Sequence, residues 1–265
     1  MPRLSIVIVS YNSRRDLEDC LESLAHQPTA VDTTVVDNAS SDGTADYVRS
    51  RWPAVRVIDA GGNVGFAAAT NIGIRHTSSE LVLLLNPDTV VPPGAIDALV
   101  HVLDTNAQAA IVGPRIVDAN GRVELSFGRT ISPLAELRQK VLVRGHDAGV
   151  PLISNAVERM TRRSRAVDWV SGACLLIRRH DLEAVGLLDE RFFLYTEDVD
   201  LCASVRARGR QVLFAATVEI VHRRGRSVAS ARTASNAAYR RSQVAFYEKH
   251  HPRWAPLLRW YLRWK

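Results

Sequence analysis

The chain has 265 residues, 46% of them apolar, and a formal net charge of +6. That length can bury a large core and that apolar fraction excludes disorder, so one big α/β domain or two small ones are expected. No apolar run approaches the roughly 20 residues of a membrane span, and the positive charge favours anionic partners such as nucleotides, phosphates, nucleic acid or anionic lipid.

Met1-Pro2-Arg3-Leu4-Ser5 leads directly into a strand, with no signal peptide ahead of it. Cys20, Cys174 and Cys202 are far apart and odd in number. They read as buried thiols in a reducing compartment, without a zinc site or disulfide framework.

Leu4–Val9 is β-branched and predicts the first strand. Ser13 is placed to cap a helix whose stripe is Leu17, Cys20, Leu21 and Leu24. Val31–Val36 and Val55–Ile58 predict the next two strands. A polar loop, Asp37–Thr44, follows the first of them, and Gly61-Gly62-Asn63-Val64-Gly65-Phe66 follows the second. A helix over Ala67–Arg75 leads to Leu81–Leu85, an unbroken apolar run that reads as a strand buried on both faces. Strands alternating with helices at this spacing predict a parallel sheet with right-handed crossovers, its polar loops along one edge.

Pro92-Pro93 open a helix with Ile96, Leu99, Val100 and Leu103 on one face, and Ala109–Val112 and Arg115–Val117 read as short strands. Asp118-Ala119-Asn120-Gly121 is a hairpin turn. From 126 to 165 only Leu134–Val143 has a helical pattern, and the segment reads as a substrate-facing insertion. Val167–Ile177 is expected to be one strand, Asp181 to cap a short helix, and Thr196 to cap a helix ending near Gly209. Gln211–Phe214 and Val218–Val221 predict late strands, and a long helix is expected over Asn236–His250.

Several stretches carry chemistry. The apolar run at 81–85 stops at Asn86-Pro87-Asp88, where proline turns the chain. Asp88 either serves a hard cation carrying phosphates or caps the turn. Asp37 either accepts from a pyrimidine N–H or is a loop aspartate. Asn63-Val64-Gly65-Phe66 lets backbone approach a ligand at a helix N-terminus, though it is neither GxGxxG nor a P-loop. Glu197, Asp198 and Asp200 crowd one helix start; the helix dipole favours one or two of them there, and a carboxylate behind Phe192-Phe193-Leu194-Tyr195 suits a general base. His222 begins an arginine-rich loop with Arg223, Arg224 and Arg226, a composition suited to a diphosphate, and with Asp88 it makes a candidate Mn2+ or Mg2+ site. The tail, Trp254–Lys265, mixes tryptophan, leucine and arginine. It is either an interfacial membrane anchor or a helix packed on the domain or on a second subunit of a homodimer.

Taken in order, these motifs resemble the inverting glycosyltransferases of family 2 with the GT-A fold. The matching residues are Val9-Ser10-Tyr11-Asn12, Val36–Thr44, Asn63–Phe66 with Asn71 and Gly73, Asn86-Pro87-Asp88, Ser171-Gly172-Ala173, Phe192–Leu201, and His222 with Gly225 and Ser227. Asn-Pro-Asp and Glu-Asp-Val-Asp-Leu look most like the rhamnosyltransferase-type branch.

The resemblance implies an α/β, Rossmann-like nucleotide-diphospho-sugar transferase with a mostly parallel central sheet flanked by helices, plus C-terminal helices. It implies a single domain over 1–265: a nucleotide-binding half (1–125), an acceptor-side half (126–227) and a helical tail (228–265). Ser10, Tyr11, Asn12 and Asp37 would hold the donor, with Asn63, Gly65, Phe66, Asn71, Asn86 and Arg226 nearby. Asp88 and His222 would hold the metal. Asp198 would be the general base with Glu197 beside it, and Trp169, Gly172 and Asp200 would face the acceptor. Asn86 stands where the commoner motif has aspartate, which lowers the charge of the site.

The implied reaction moves a sugar, with dTDP-rhamnose as the first choice among dTDP- and UDP-sugars, to a hydroxyl of a glycan or lipid-linked acceptor of the cell envelope. The implied location is cytoplasmic, or peripheral at the inner face of the membrane. A sugar-phosphate nucleotidyltransferase would carry a Gly-rich loop with Arg and Lys after the first strand, where this chain has Ser-Tyr-Asn. A nucleic-acid-binding protein would interleave its arginines with stacking aromatics in a recognisable module, so no nucleic-acid partner is expected. A processive membrane synthase would carry spanning helices and a Gln-x-x-Arg-Trp segment.

Overall fold

A computed structural model describes residues 2–29, 31–223 and 232–264; in the last stretch side chains are described from 237 onward. Arg226, with Gly225 and Ser227, lies outside the described residues. The first half alternates strands β1 (Leu4–Ser10), β2 (Asp32–Asp37), β3 (Arg56–Asp59) and β4 (Leu81–Leu85) with helices α1 (Arg14–Ala25), α2 (Thr44–Arg51) and α3 (Phe66–Arg75). β1 pairs in parallel with both β2 and β4, and β2 with β3.

Beyond β4 come β5 (Thr89–Val90), α4 (Ala95–Asp104), β6 (Ala109–Val117), β7 (Val123–Glu124), β8 (Phe127–Gly128), α5 (Pro133–Asp147) and α6 (Pro151–Met160). Then follow β9 (Arg165–Val167), β10 (Trp169–Val170), β11 (Cys174–Arg178), α7 (Arg179–Ala184), α8 (Glu197–Ala207), β12 (Gln211–His222), α9 (Arg232–His250) and α10 (Ala255–Arg263). The central sheet runs β3-β2-β1-β4-β11-β6-β12-β5, with β7 on β6 and β9 on β12; β8 and β10 pair apart from it. Its mostly parallel frame is interrupted by β11, which enters antiparallel between β4 and β6.

Alternation along β4 explains its continuous apolar sequence. Leu81, Leu83 and Leu85 join the cluster containing Leu17 and Leu21 of α1 and Ile96 and Leu99 of α4. Val82 and Leu84 join the opposite cluster, with Ala67 and Ile74 of α3, Leu182 of α7 and Leu201 of α8. Period-two alternation between two covered faces requires both sets to be apolar. Gly73 lets α3 close on the sheet, because a Cβ there would lie 2.5 Å from Val7 Cγ1.

Several local expectations are corrected. The 109–117 stretch is one strand through Pro114, and the partner register shifts between Ala215 and Glu219 beside it, so β12 is also continuous. The 167–177 stretch is three short strands, because Asp168 turns out to pair with Arg206 at 2.7 Å and to accept from Thr130 N at 2.8 Å. Ser13 occupies its cap position, but its hydroxyl pairs with Ser10 Oγ at 2.8 Å and caps nothing. Asp181 lies inside the first turn of α7 and pairs with Arg210 at 2.9 Å. The 126–165 segment is a helical pair, α5 and α6; Ser132 caps α5, and buried His146 ties the pair to Val123 O at 2.8 Å.

Asp200, expected on the acceptor side, faces α9. Its buried carboxylate meets Lys249 Nζ at 2.8 Å and His250 Nε2 at 2.6 Å. Asn71, expected at the donor, bonds instead to Leu188 O at 2.8 Å, Leu188 N at 3.0 Å and Glu190 Oε1 at 2.9 Å, tying α3 to the approach to α8. The three cysteines are buried, and burial pushes the Cys20 thiol up to about 12. Among the described residues no helix is long and apolar enough to cross a membrane.

Removing Asp200 leaves Lys249 Nζ with Asp189 alone, at 2.9 Å, and takes the carboxylate partner from His250 Nε2. Asp200→Ala is expected to cost about 3 kcal/mol in urea unfolding while leaving nucleotide affinity unchanged.

Candidate active site

Backbone hydrogen bonds gather the loops at one edge of the sheet. Ser10, Asp37 and Asp59 end three adjacent strands in register. Asn86, just past β4, donates to Ala173 O at 2.9 Å, which sets the start of β11 beside it. Gly172 N donates to Asp198 Oδ2 at 2.8 Å. His222, the last residue of β12, pairs with Thr89. Phe66 N donates to Phe193 O at 2.7 Å, joining the glycine loop to the approach to α8.

On the donor side, Asp37 is buried; Oδ2 accepts from Ser40 N at 3.1 Å, and Oδ1 has no partner. A buried acceptor without a partner carries a desolvation cost that a ligand N–H or O–H can relieve. Tyr11, which follows the β1 residue paired with Asp37, is half exposed. Asn12 takes a positive φ of 50° and accepts from Ser41 N at 2.7 Å, so it joins two loops rather than facing a ligand. The Ser10 hydroxyl is likewise turned inward, toward Ser13. Asn63 Oδ1 accepts from Asn38 Nδ2 at 3.1 Å, and Asn38 Oδ1 accepts from Val64 N at 2.9 Å. Asn38 and Asn63 thus join the loop after β2 to the glycine loop.

Gly65 has a φ of +88°, and a Cβ there would lie 2.6 Å from Phe193 Cδ2 and 2.7 Å from Phe193 O. Only glycine suits both the backbone and the space.

Asp88 Oδ1 faces His222 Nε2 at 3.2 Å, and Glu124 Oε2 faces His222 Nδ1 at 3.4 Å. Burial works against the imidazolium, yet hydrogen bonds to Asp88 and Glu124 outweigh it and raise His222 to about 9. Glu124 was not anticipated. It reaches His222 only because β7 and β12 both flank β6, and a carboxylate after a hairpin gives no local sign of that.

α8 begins with two consecutive non-glycine residues at positive φ, Tyr195 at 69° and Thr196 at 75°. Thr196 fills the cap position without a side-chain cap bond. Strained backbone of this kind persists where surrounding structure holds it, and it clusters at functional sites. It delivers two adjacent carboxyls into different surroundings. Glu197 is buried and its Oε2 has no partner. Burial first, and the neighbouring Asp198 charge second, push the Glu197 carboxyl well above the carboxylate range. Burial raises Asp198 as well, but N–H groups of Gly172 and of Val199, each at 2.8 Å, favour its anion. Burial thus favours the protonated form of both carboxyls, well above the ordinary range for Glu197, and the two N–H groups favour the anion at half-buried Asp198.

Trp169, expected at the acceptor, donates from Nε1 to Arg129 O at 2.9 Å and packs against Gly128. Next to it lies a cavity of about 730 Å3 walled by Arg129, Arg138 and Arg165 together with Asp168. Asp88, Asp198 and His222 are not among its lining residues.

Gly65→Ala is expected to lose about 1–3 kcal/mol from the forced φ alone, read as a lowered unfolding midpoint. The Glu197 carboxyl binds its proton more tightly folded than unfolded, so stability falls as pH rises above the ordinary glutamate range. Glu197→Gln should therefore raise the thermal midpoint near neutral pH and change it little at about pH 4; a midpoint gain of equal size at both would contradict the assignment.

The geometry can be set beside known proteins. A family model described as glycosyltransferase like family 2 matches residues 2–256. The chain is 32% identical over 276 residues, 98% of its length and 89% of the relative's, to the N-acetylglucosaminyl-diphospho-decaprenol L-rhamnosyltransferase of Mycobacterium tuberculosis. It is 21% identical to the rhamnosyltransferase WbbL of Escherichia coli, over 82% of each chain. In structure it is similar to the mannosyltransferase PcManGT from Pyrobaculum calidifontis, solved with GDP-Man and Mn2+. The TM-score is 0.66 at 18% identity, covering 97% of this chain and 68% of that one. A family match across nearly the whole chain, on a GT-A sheet whose loops converge at one edge, makes this chain a member of glycosyltransferase like family 2, related to rhamnosyltransferases.

Proposed function

We propose that this glycosyltransferase moves a deoxyhexose, rhamnose from a dTDP donor, to a hydroxyl of a glycan or lipid-linked acceptor with inversion. The observation that carries the reading is the unequal acid pair. Asp198, aimed by two backbone N–H groups, stands beside a neutral Glu197 at the edge where Asp37 keeps an unpartnered oxygen. The rhamnosyl donor and lipid-linked acceptor follow the printed name of the relative at 32% identity.

An acceptor hydroxyl is a weak nucleophile at neutral pH, so its proton must leave as it attacks. Asp198 takes that proton while the acceptor oxygen bonds to the anomeric carbon. The bond to the diphosphate breaks, and the nucleoside diphosphate leaves with the electron pair. One displacement inverts the centre, and no second carboxylate nucleophile is needed. Glu197, uncharged, keeps a second negative charge away from the base. Asp37 receives a donor N–H or O–H from the base or ribose.

Asp88 and His222 fit a divalent cation: a carboxylate oxygen and an imidazole nitrogen face each other at 3.2 Å, and an ion there would take the place of the proton that Asp88 and Glu124 favour on the ring. Among the described residues no group of three or more His, Cys, Asp or Glu side chains is arranged to hold a metal. The donor set therefore suits a hard ion, Mn2+ or Mg2+, that draws its remaining ligands from phosphate and water. Glu124 would orient the His222 ring from behind through Nδ1. Such an ion supplies charge to offset that developing on the leaving diphosphate.

Asp198→Asn should cut transfer by about 10²–10⁴-fold with dTDP affinity retained; turnover near wild type would remove Asp198 as the base. Calorimetric titration with dTDP, UDP and GDP, with Mn2+ and after chelation, should show metal-dependent dTDP binding that Asp88→Ala abolishes. Preference for UDP or GDP would overturn the donor assignment, and binding indifferent to metal and to Asp88 would overturn the cation site.

A further inference from the structure

Two helices away from the site each turn an apolar stripe to solvent. On α5, Leu134, Leu137 and Val141 are 81%, 60% and 53% exposed, at spacings that share one helical face. On α10, Leu257, Trp260, Tyr261 and Trp264 do the same, with Trp264 79% exposed. The stripes meet: Leu137 and Val141 share with Leu257, Trp260 and Tyr261 the walls of a groove of about 550 Å3. α9 holds the two helices in place. Glu136 of α5 accepts from Tyr239 and Tyr247 at 3.3 and 3.5 Å and from Gln243, and Tyr247 and Phe246 cluster with Ala255 of α10. A contiguous apolar face on a fixed support marks a docking surface.

Its charge selects the occupant. α10 contains Arg259 and Arg263 and no acid, and Lys140 and Arg144 line the α5 wall of the groove. Glu136 pairs with Lys140 and Glu248 with Arg259, so the surplus charge of the face is that of Arg144 and Arg263. A second copy docking by the same face would bring cation against cation, because an isologous interface repeats one patch on both sides. An anionic bilayer meets both features. Tryptophan and tyrosine rings sit at headgroup depth, leucines reach the acyl boundary, and arginine and lysine meet lipid phosphates.

We infer that α5 and α10 together form a two-helix docking face that seats the protein on an anionic membrane surface. The C-terminal tail supplies only one half of it, and α5, from the segment with the weakest sequence signal, supplies the other. The inference is independent of the sugar transferred and of the catalytic base.

The test is binding of the full chain to phosphatidylcholine vesicles with and without phosphatidylglycerol, measured by co-sedimentation alongside analytical ultracentrifugation. Binding should require the anionic lipid and fall as salt rises. Trp260→Ser with Trp264→Ser, and separately Leu137→Ser with Val141→Ser, should each weaken it at least about tenfold. These side chains are exposed, so the thermal midpoint and dTDP affinity should stay at wild-type values and serve as the folding control. Unchanged binding in the α5 pair would overturn the two-helix face. A wild-type chain that ignores vesicles would also overturn it, and if that chain is a dimer broken by Trp260→Ser, the face belongs to a second copy.

Discussion

The two-sided burial of β4 is the constraint on which the site depends. Leu81, Leu83 and Leu85 are claimed by one helical layer and Val82 and Leu84 by the other, and a one-residue slip would exchange the two sets. β4 is also paired on both edges, with β1 and with β11. Its end point is therefore fixed, and with it the turn at Asn86-Pro87-Asp88. From that turn a chain of hydrogen bonds runs through Ala173 and Gly172 to Asp198, so Asp198 is located by the register of the sheet rather than by α8 alone.

The acidic groups at this edge illustrate three ways to hold a carboxyl. Asp37 keeps one oxygen satisfied by the loop and one buried without a partner. Asp88 is set against His222, whose charge is sustained by a second carboxylate behind it. Glu197 and Asp198 are adjacent in sequence yet differ in surroundings, because Asp198 is met by two N–H donors and Glu197 Oε2 by none. The same low-dielectric surroundings that make these groups reactive make them costly to fold. The two left-handed residues before α8 add to that cost.

The C-terminal helices connect this chemistry to the surface. Asp200 shares a helical turn with the acid pair but points the other way, into Lys249 and His250. It anchors α9, which in turn fixes α5 and α10. One helix start thus carries Asp198 on one face and the attachment of α9 on another.

The fold was legible because period and turn chemistry are local properties. The β-branched runs, the apolar stripe of α1, the unbroken Leu81–Leu85 run and the proline after it each state their own structure, and the ordered motifs name the family. The residues Asp37, Asp88, Asp198 and His222 could be singled out because each sits where a strand or helix begins or ends. What the sequence could not state was direction and company. Asp200 and Asn71 were grouped with the site through the family resemblance, yet their side chains bond to Lys249 and to Leu188 O. Glu124 reaches His222 only through strand neighbours, and nothing within a few residues of it announces that; Asn38 stands inside a quoted motif, but its bond to Asn63 exists only once the two loops close. The α5–α10 face joins segments more than a hundred residues apart, so a pairing of two modest amphipathic stripes exists only once α9 has brought them together. Local sequence determined which elements form and where they stop; long-range packing decided which side chains meet, because side-chain direction is set by what covers each face.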